Sequence, residues 1–525
     1  MLVFRCEFEV LAQTEAELFD SDPWILLTTG SAKQRTEVQL SELSPEERTA
    51  FENAKQAEIN NWLQTQTVSK VLRDQIPVEQ IMKCRWILTW KPLDGINQDE
   101  IEHKSLRSHK PKARLVVLGY QDPQIEEIPR DSPTLSKTAR MLILQTIATH
   151  SWQLLSFDIK AAFLQGKPPG GIMGLEPVKE LRRALSLSDH EIVKLNKSAY
   201  GLVDAPFLWY CTLTSELTAL GMEVSPFDPC TFVLRCKEDP SQITGILGIH
   251  VDDGIGGGNQ QFHDVINQLE KKYPFGAKKV NSFTFTGIDL TQKEDNSIIM
   301  SQSTYVRKIK HIPIEPNRKT QMELDVTEAE RGLLRGLVGS LQYAAVNTRP
   351  DLASRLSQLQ SSINKAKIEN LSEANKLLHE AKKYHNVTIT IKPIPHKDFR
   401  FMAFSDASFA SHRKPDSHAG MIIAGTHQQI NNNVQCPISP ISWGSKKIQK
   451  VVTSTLSAET TSLAAAIDQL AWLRLFWSWI HDSKVQWKDP EKALQQLEPA
   501  ISVPTCIETN DVAITDCKSL YDFTI

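Results

Sequence analysis

Two apolar stretches of the sequence end in aspartate, and they restrict the fold more than any other feature. Leu154 to Phe157 precedes Asp158, and the run 243–251 precedes Asp252 and Asp253. Short apolar runs bounded by turn signals predict buried strands. Three carboxylates at neighbouring strand ends would suit a divalent cation. Asp-Asp-Gly is also a common turn sequence, and one aspartate before a helix is a common cap, so spacing leaves both interpretations open.

Length and composition place the chain among multidomain globular proteins. It has 525 residues, of which 41% are apolar and 23% charged, enough for several cores. No apolar run reaches the roughly 18 to 20 residues that span a bilayer, and the N-terminus lacks a secretory leader pattern. We therefore expect an intracellular protein, not a secreted or membrane protein, and the eight scattered cysteines favour free thiols over zinc or disulfides.

Hydrophobic periodicity and turn signals predict an ordered series of elements. Ser44-Pro45-Glu46-Glu47 is typical of a helix start. Further segments predict, in order, strands at 84–90 and 112–120, a helix at 136–150, a strand then a helix at 152–163, a helix ending near 221 and a hairpin at 243–258. A polar linker at 312–328 precedes helical segments at 329–346, 350–364 and 371–384. Strands and a long helix from about Ser457 follow a change of character near residue 390.

Four motifs resemble successive blocks of copia-like retrotransposon reverse transcriptases. They are, in order, FDIKAAFLQG, KLNKSAYGLVDAPFLWY, HVDDGIGGG and FTGIDL. RWILTWKPLDG and KPKARLVVLGYQDP are similar to the family's finger segments, and GSLQYAAVNTRPDLASRLSQLQS to a block after the palm. The ordered matches run from about Arg85 to the C-terminus, which argues against a resemblance that arose by chance.

The resemblance implies an α+β fold, a right-hand polymerase followed by a ribonuclease-H-like α/β domain that is truncated at its C-terminus. We expect an N-terminal, partly helical extension at 1–75, fingers and palm at 76–295, thumb or connection helices with a linker at 296–390, and the incomplete ribonuclease-H-like domain at 391–525. No integrase or protease region precedes residue 75, so we expect a fragment of a larger polyprotein or a decayed copy.

The resemblance also assigns the first set of acids. Asp158, Asp252 and Asp253 would hold two Mg²⁺, with Mn²⁺ as a substitute, for nucleotidyl transfer onto a primer 3′-hydroxyl. Lys112 and Arg114 would contact the incoming deoxynucleoside triphosphate, although both also suit a solvated strand face.

Three further residues are assigned to the nucleotide pocket by the resemblance. Phe163 falls where relatives place an aromatic ring that blocks a ribose 2′-hydroxyl, and core packing is its alternative role. Tyr200 and Gly201 would line the pocket from a loop.

A second set of acids resembles a ribonuclease H site. The stretches FSDASFASHRKPDSHAGMIIAG and ISWGSKKIQKVVTSTLSAET carry Asp406 and Glu459, and Asp516 would be the third acid, with Asp511 and Asp522 close by. Together they would bind two Mg²⁺ that activate water against RNA. Taken singly, an aspartate in a turn and a glutamate near a helix N-terminus have ordinary structural explanations.

The implied partners are an RNA template, a DNA primer, an RNA–DNA hybrid and deoxynucleoside triphosphates, with no membrane partner; polyprotein and dimer partners stay open. The net charge of −3 does not indicate nucleic acid, but three basic clusters would form a local phosphate track. These are Lys104, Arg107, Lys110, Lys112 and Arg114; Lys271, Lys272, Lys278 and Lys279; and Arg307, Lys308 and Lys310. Each alone also suits a solvated face.

Three residues depart from the family pattern. His250 stands where a tyrosine is usual, and Val203 and Asp204 replace a Lys-Gln pair. The change to His250 would alter how the primer end is bound, and the change to Val203 and Asp204 would weaken attraction for phosphate. We therefore expect an RNA-directed DNA polymerase of a retrotransposon, in the cytoplasm or nucleus, with an impaired ribonuclease H region. The alternative is an inactive relic or nucleic-acid-binding module that keeps the fold.

Overall fold

The computed structural model describes residues 37–93, 105–129, 131–409, 416–432, 434–482 and 512–514. The helices are α1 (Pro45–Gln64), α2 (Lys137–Thr149), α3 (Lys179–Ala184), α4 (Ala205–Ala219), α5 (Gln260–Lys272), α6 (Ser303–Lys308), α7 (Pro316–Lys319), α8 (Glu328–Asn347), α9 (Ala353–Ser362), α10 (Ile368–Lys383) and α11 (Thr455–His481).

The strands of the described residues form four sheets. They are β1 (Val68–Leu72), β2 (Ile81–Pro92), β3 (His109–Val117), β4 (Leu155–Ile159), β5 (Gly174–Glu176), β6 (Glu191–Leu195), β7 (Met222–Val224), β8 (Thr231–Arg235), β9 (Ile243–His250), β10 (Asp253–Gly258), β11 (Phe275–Val280), β12 (Ser282–Phe285), β13 (Ile288–Gln292), β14 (Ile298–Ser301), β15 (Ile389–Ile391), β16 (Phe399–Ser408), β17 (His418–His427), β18 (Ile438–Lys447) and β19 (Val512–Ile514). This mixture of separate helices and mostly antiparallel sheets confirms the α+β class.

The N-terminal sheet has the order β1-β6-β5-β2-β3, and helix α1 covers it. Ser44 caps this helix in a capping box with Glu47, as the sequence signal predicts. Phe51, Ile59 and Trp62 of α1 are fully buried against the sheet. The segment 45–64, which we expected in an N-terminal extension, is therefore packed into the body of the first sheet.

The central sheet has the order β11-β4-β10-β9-β8-β7 and carries the first set of acids. Its inner strands are apolar on both faces: five consecutive residues of β8 and six of β9 are buried. Helices α4 and α5 pack on one face with Trp209 and Phe262, and α2 packs on the other with Ile143 and Ile147. Burial on both faces explains why β9 has a continuous apolar run without alternation.

A helical unit follows the central sheet. Helices α6 and α8 to α10 share one apolar core, and α8 begins with a capping box at Thr327 and Glu330. The predicted helices at 329–346, 350–364 and 371–384 are confirmed within a few residues. The predicted polar linker at 312–328 contains one short helix, α7.

The C-terminal sheet has the order β18-β17-β16-β19, with β19 parallel to β16. Helix α11 packs on it through Phe476 and Trp477, and the same core continues into α2 and the sheet β12-β13-β14-β15. Strand β15 lies at the expected boundary near residue 390 and pairs with β14. The apolar core is thus continuous across that position.

One local prediction is wrong. The segment after Asp158 was expected to turn into an α-helix, but the structure has a short 3-10 helix at Ala162–Gln165, preceded by Ala161 with a φ of 54°. The left-handed residue breaks the strand-to-helix transition and turns the chain back towards the N-terminal sheet, where Leu164 is buried.

A membrane-spanning helix is absent from the described residues, since none of these helices combines the required length and apolar character.

Candidate active site

The two predicted strand ends lie side by side. Strand β10 is antiparallel to both β9 and β4, so Asp253 is opposite His250 on one side and opposite Asp158 on the other. The amide of Ile159 donates to the carbonyl of Asp252 at 2.9 Å. The fold therefore brings all three acids to one end of the central sheet, although 94 positions separate Asp158 from Asp252 (252 − 158).

Two glycines make room for this arrangement. A Cβ on Gly254 would lie 2.3 Å from Cζ of Phe157, whose ring covers the strand and stacks on Phe275 at 4.3 Å. A Cβ on Gly276 of β11 would lie 2.5 Å from Oδ2 of Asp158. The Asp158 carboxylate consequently occupies space that any larger residue at position 276 would take.

The three carboxyl groups interact electrostatically. Burial, followed by the charges of Asp252 and Asp158, raises the pKa of Asp253 to about 7. Burial and the charge of Asp158 also raise the pKa of Asp252, and burial raises the pKa of Asp158. Like charges held together away from water disfavour ionisation. A cation at this end of the sheet would relieve that repulsion.

Lys112 faces the acids from β3. Burial, then the charges of Arg114 and Lys91, lower its pKa, while the charges of Asp158 and Asp252 act in the opposite direction. Strand β3 pairs with β2, so that Lys91 lies opposite Lys110 at the same end of the hairpin. The predicted triphosphate contacts are thus electrostatically coupled to the predicted metal ligands.

The loop carrying Tyr200 and Gly201 lies against β3. The amide of Val117 donates to the carbonyl of Tyr200 at 2.7 Å, and the guanidinium of Arg114 lies 5.6 Å from the centre of the Tyr200 ring. Gly201 has a φ of +92°, and a Cβ there would approach the carbonyl oxygen of Val117 to 2.1 Å. Glycine is required here both by its conformation and by the close backbone.

Phe163 packs between the N-terminal and central sheets, close to Tyr200. Its ring packs on apolar residues of both the N-terminal and central sheets, and meets the Tyr200 ring edge-on at 5.6 Å. The side chain is partly buried, so the structure shows packing contacts for Phe163, and its role in blocking a ribose 2′-hydroxyl stays a prediction.

Asp204 is buried at the start of α4, and burial raises the pKa of its carboxyl. Val203, the other half of this departure, is partly buried.

The acids could hold a divalent ion through hard oxygen ligands. None of Asp158, Asp252 and Asp253 is in an ion pair with another described residue. Within the described ranges, however, no three Asp, Glu, His or Cys side chains are grouped as a metal site. Mg²⁺ commonly takes one or two carboxylates and completes its shell with water and substrate phosphates. The donor set fits that pattern.

The second set of acids is partly within the described residues. Asp406 is exposed near the end of β16, and Glu459 is buried in α11. Glu459 accepts a hydrogen bond from the amide of Ala407 at 3.3 Å, and Ser462 donates to the carbonyl of Asp406 at 2.9 Å. Helix α11 therefore places Glu459 beside Asp406. Asp516, like the neighbouring Asp511 and Asp522, lies outside the described residues.

Comparison with known proteins identifies the region that contains the first set of acids. Residues 91–319 match the family profile described as reverse transcriptase (RNA-dependent DNA polymerase). A retrovirus-related Pol polyprotein from transposon RE1 of Arabidopsis thaliana is 28% identical over 420 residues, covering 75% of this chain. The matched region, residues 91–319, is a reverse transcriptase domain similar to those of retrotransposon Pol polyproteins.

A second curated relative is also a retrovirus-related Pol polyprotein from a transposon. The Pol polyprotein from transposon TNT 1-94 of Nicotiana tabacum is 27% identical over 294 residues, 52% of this chain and 21% of that protein. The chain spans about a quarter of the length of the curated relatives it matches, 26% for transposon RE1. Among solved structures, a foamy viral protease-reverse transcriptase in complex with dsDNA has a TM-score of 0.43 at 10% identity, covering 89% of this chain and 83% of that one.

Two lysines of the second basic cluster, which lies within the matched residues 91–319, form ion pairs. Lys272 forms an ion pair with Glu216, and Lys278 pairs with Glu270 at 2.9 Å. Lys104 lies outside the described residues.

Three residues of this reverse transcriptase domain were missed by sequence reasoning. Gly276 lies against the Asp158 carboxylate, the Trp209 indole donates to the Val251 carbonyl, and the charge of Lys91 opposes the rise that burial causes in the pKa of Asp158. Lys91 follows a predicted strand in the motif RWILTWKP, so its position beside Lys112 was open to inference from hairpin pairing. Gly276 carries no comparable local signal, whereas Trp209 lies in the motif KLNKSAYGLVDAPFLWY, which did not indicate its hydrogen bond to Val251.

Proposed function

We propose that the chain is an RNA-directed DNA polymerase that adds deoxynucleotides to a primer 3′-hydroxyl on an RNA template. The observation that carries the proposal is the direct pairing of Asp253 with Asp158 across β10 and β4, with Asp252 at the adjoining turn. This arrangement supports the two-Mg²⁺ role that the family resemblance implies for these acids.

Asp158, Asp252 and Asp253 would hold the ions, with Mn²⁺ as a substitute. Bound there, such ions lower the pKa of an attacking hydroxyl and stabilise charge on the phosphate. The chain's own residues do the rest: Lys112 and Arg114 bring positive charge towards the same place and would orient the triphosphate. Tyr200 and Phe163 would bound the sugar side of the pocket, where a 2′-hydroxyl needs space.

Primer extension on an RNA template tests the proposal. Asp252→Asn keeps the size of the side chain but removes its charge, and we expect incorporation to fall by about a hundredfold or more. Asp264→Asn is the matched control, because Asp264 is an exposed carboxylate on α5 whose partner is Gln260. Equal incorporation by wild type and Asp252→Asn would refute the proposal.

The alternative, an inactive relic that only binds nucleic acid, gives a different result. It predicts that the wild-type chain shifts a primer–template in a binding assay and yet adds no nucleotide above the Asp252→Asn background. The observation in its favour is the buried acid Asp204, which together with Val203 replaces the Lys-Gln pair of the family pattern. Magnesium-dependent synthesis by wild type would exclude it.

We also propose that the C-terminal region acts on the RNA strand of an RNA–DNA hybrid. The placement of Glu459 beside Asp406 by the Ala407 amide supports it. Hybrid cleavage by wild type that is lost in Glu459→Gln and kept in Asp252→Asn would separate this activity from polymerisation.

A further inference from the structure

The turn that presents the acid doublet is conformationally strained. Val251 lies between β9 and β10 with a φ of +62°. This left-handed conformation is unfavourable for a β-branched residue, because its Cβ substituents crowd the backbone. Such a conformation persists only where the surroundings hold it in place. The question is therefore which contacts hold Val251.

One side-chain contact acts on this turn from a distant part of the chain. Nε1 of Trp209, in α4, donates a hydrogen bond to the carbonyl oxygen of Val251 at 2.8 Å. The indole is only 1% exposed, so water is poorly placed to replace the donor. Its ring also meets Tyr273 edge-on at 5.6 Å, which limits its rotation.

The bonded carbonyl belongs to the peptide that leads directly into Asp252. Fixing its direction fixes the rotation of the Val251–Asp252 peptide plane, and hence the direction in which the Asp252 side chain leaves the backbone. The next carbonyl, that of Asp252, is held by the amide of Ile159 at 2.9 Å. The two bonds together restrain consecutive peptides on either side of Asp252.

We propose that Trp209 is a positioning residue that holds the Asp252–Asp253 doublet in its catalytic orientation through the Val251 carbonyl. The catalytic part of this inference rests on the proposed polymerase function. Without the indole N–H, Val251 relaxes towards an extended conformation and Asp252 turns away from Asp158 and Lys112.

Trp209→Phe removes the N–H and keeps an aromatic ring in the same cavity. Trp443→Phe is the matched control, because its Nε1 donates to the Ala345 carbonyl at the same distance, 2.8 Å, and it is also buried, at 6% exposure. That bond joins β18 to α8, neither of which carries Asp158, Asp252 or Asp253. A general loss of one buried indole hydrogen bond is therefore present in both variants.

Hydrogen exchange of the hairpin 243–258 is the first measurement, and it does not depend on activity. We expect exchange there to accelerate by about threefold to tenfold in Trp209→Phe, the equivalent of one net hydrogen bond, and to be unchanged in Trp443→Phe. Unchanged exchange in Trp209→Phe would overturn the proposal whatever the polymerase activity. Global unfolding of Trp209→Phe at temperatures where Trp443→Phe stays folded would also overturn it, because Trp209 would then be a core residue.

Steady-state primer extension is the second measurement. We expect Trp209→Phe to lower kcat by about tenfold or more, with KM for the nucleotide within about twofold of wild type, because the change acts on the metal ligands and leaves the triphosphate contacts in place. A raised KM with unchanged kcat would overturn the assignment. If wild type adds no nucleotide, the proposed function fails, and the hairpin exchange alone decides whether Trp209 orients the doublet.

Discussion

Gly276→Ala is the sharpest test of whether the position of the Asp158 carboxylate matters. The added Cβ would lie 2.5 Å from Oδ2 of Asp158, whereas carbon and oxygen atoms in contact stay about 3.3 to 3.6 Å apart. The carboxylate must therefore move by about 0.8 to 1.1 Å, the difference between these distances. Because a side chain can rotate more easily than a strand can shift, Asp158 is expected to turn.

A displacement of about 1 Å in a reacting geometry can lower a rate by about a hundredfold. We therefore expect primer extension by Gly276→Ala to fall by about tenfold to a hundredfold. The free energy of unfolding should change by no more than about 1 kcal/mol, because alanine restricts the unfolded chain and offsets part of the contact cost. The combination of a large loss of activity and a small loss of stability is what identifies a displaced ligand.

Both quantities are measurable on one preparation, by single-nucleotide extension at saturating primer–template and by urea unfolding. Gly444→Ala is the control, since a Cβ there would meet nothing within 4 Å, and we expect it to keep full activity. Full activity of Gly276→Ala would refute the reasoning, because the Asp158 carboxylate would then be movable without consequence. A loss of stability as large as that of a core substitution would refute it as well.

Two further predictions concern stability. Three buried histidine rings stack where α2, the segment before β16 and the end of α11 meet. The His481 ring centroid lies 5.5 Å from that of His150 and 4.4 Å from that of His396. Burial lowers the pKa of His150 to about 4 and also lowers the pKa values of His396 and His481. Since the unfolded rings bind protons below about pH 6.5 and the folded rings do not, these rings should lower stability as pH drops from about 6.5 towards 4, by up to about 1.4 kcal/mol per pH unit for each ring. The raised pKa of Asp253 acts in the opposite direction, so the test compares urea unfolding at pH 7 and pH 5 in wild type and His150→Phe, and an identical pH dependence of the two proteins would contradict this. Phe51→Ala should lower the free energy of unfolding by about 3 to 5 kcal/mol, because Phe51 is fully buried and packs edge-on against Trp90 at 4.8 Å. A decrease below about 1 kcal/mol would show that α1 is not part of the core of the N-terminal sheet.

Much of the local structure follows from short stretches of sequence. The capping signal at Ser44 predicts the start of α1, and the apolar run before His250 predicts strand β9. The break at Ala161 was not predicted, because IKAAF has ordinary helix formers and only its packing against two sheets imposes the left-handed residue. Backbone propensity is a weak guide where tertiary contacts compete with it.

The candidate site divides in the same way. That Asp158 and Asp252 end two strands was predictable from the residues, and the family resemblance joined them into one site. The contact between Gly276 and Asp158 was not predictable, because it depends on an irregularity in the pairing of β11 with β4 between Phe275 and Ala277. Such irregularities arise from packing around the whole strand and have no short sequence signal here.

The sequence by itself determined where strands and helices begin, which of them end in acids and how apolar their faces are. These properties depend on residues within about one or two turns of each other. Only the tertiary structure decided that Trp209 reaches a carbonyl 42 positions away, that a missing Cβ admits the Asp158 carboxylate, and that one apolar core passes from α2 to α11. These contacts depend on how the faces of helices and sheets pack together, because residues far apart in sequence meet only when the elements between them are folded and packed.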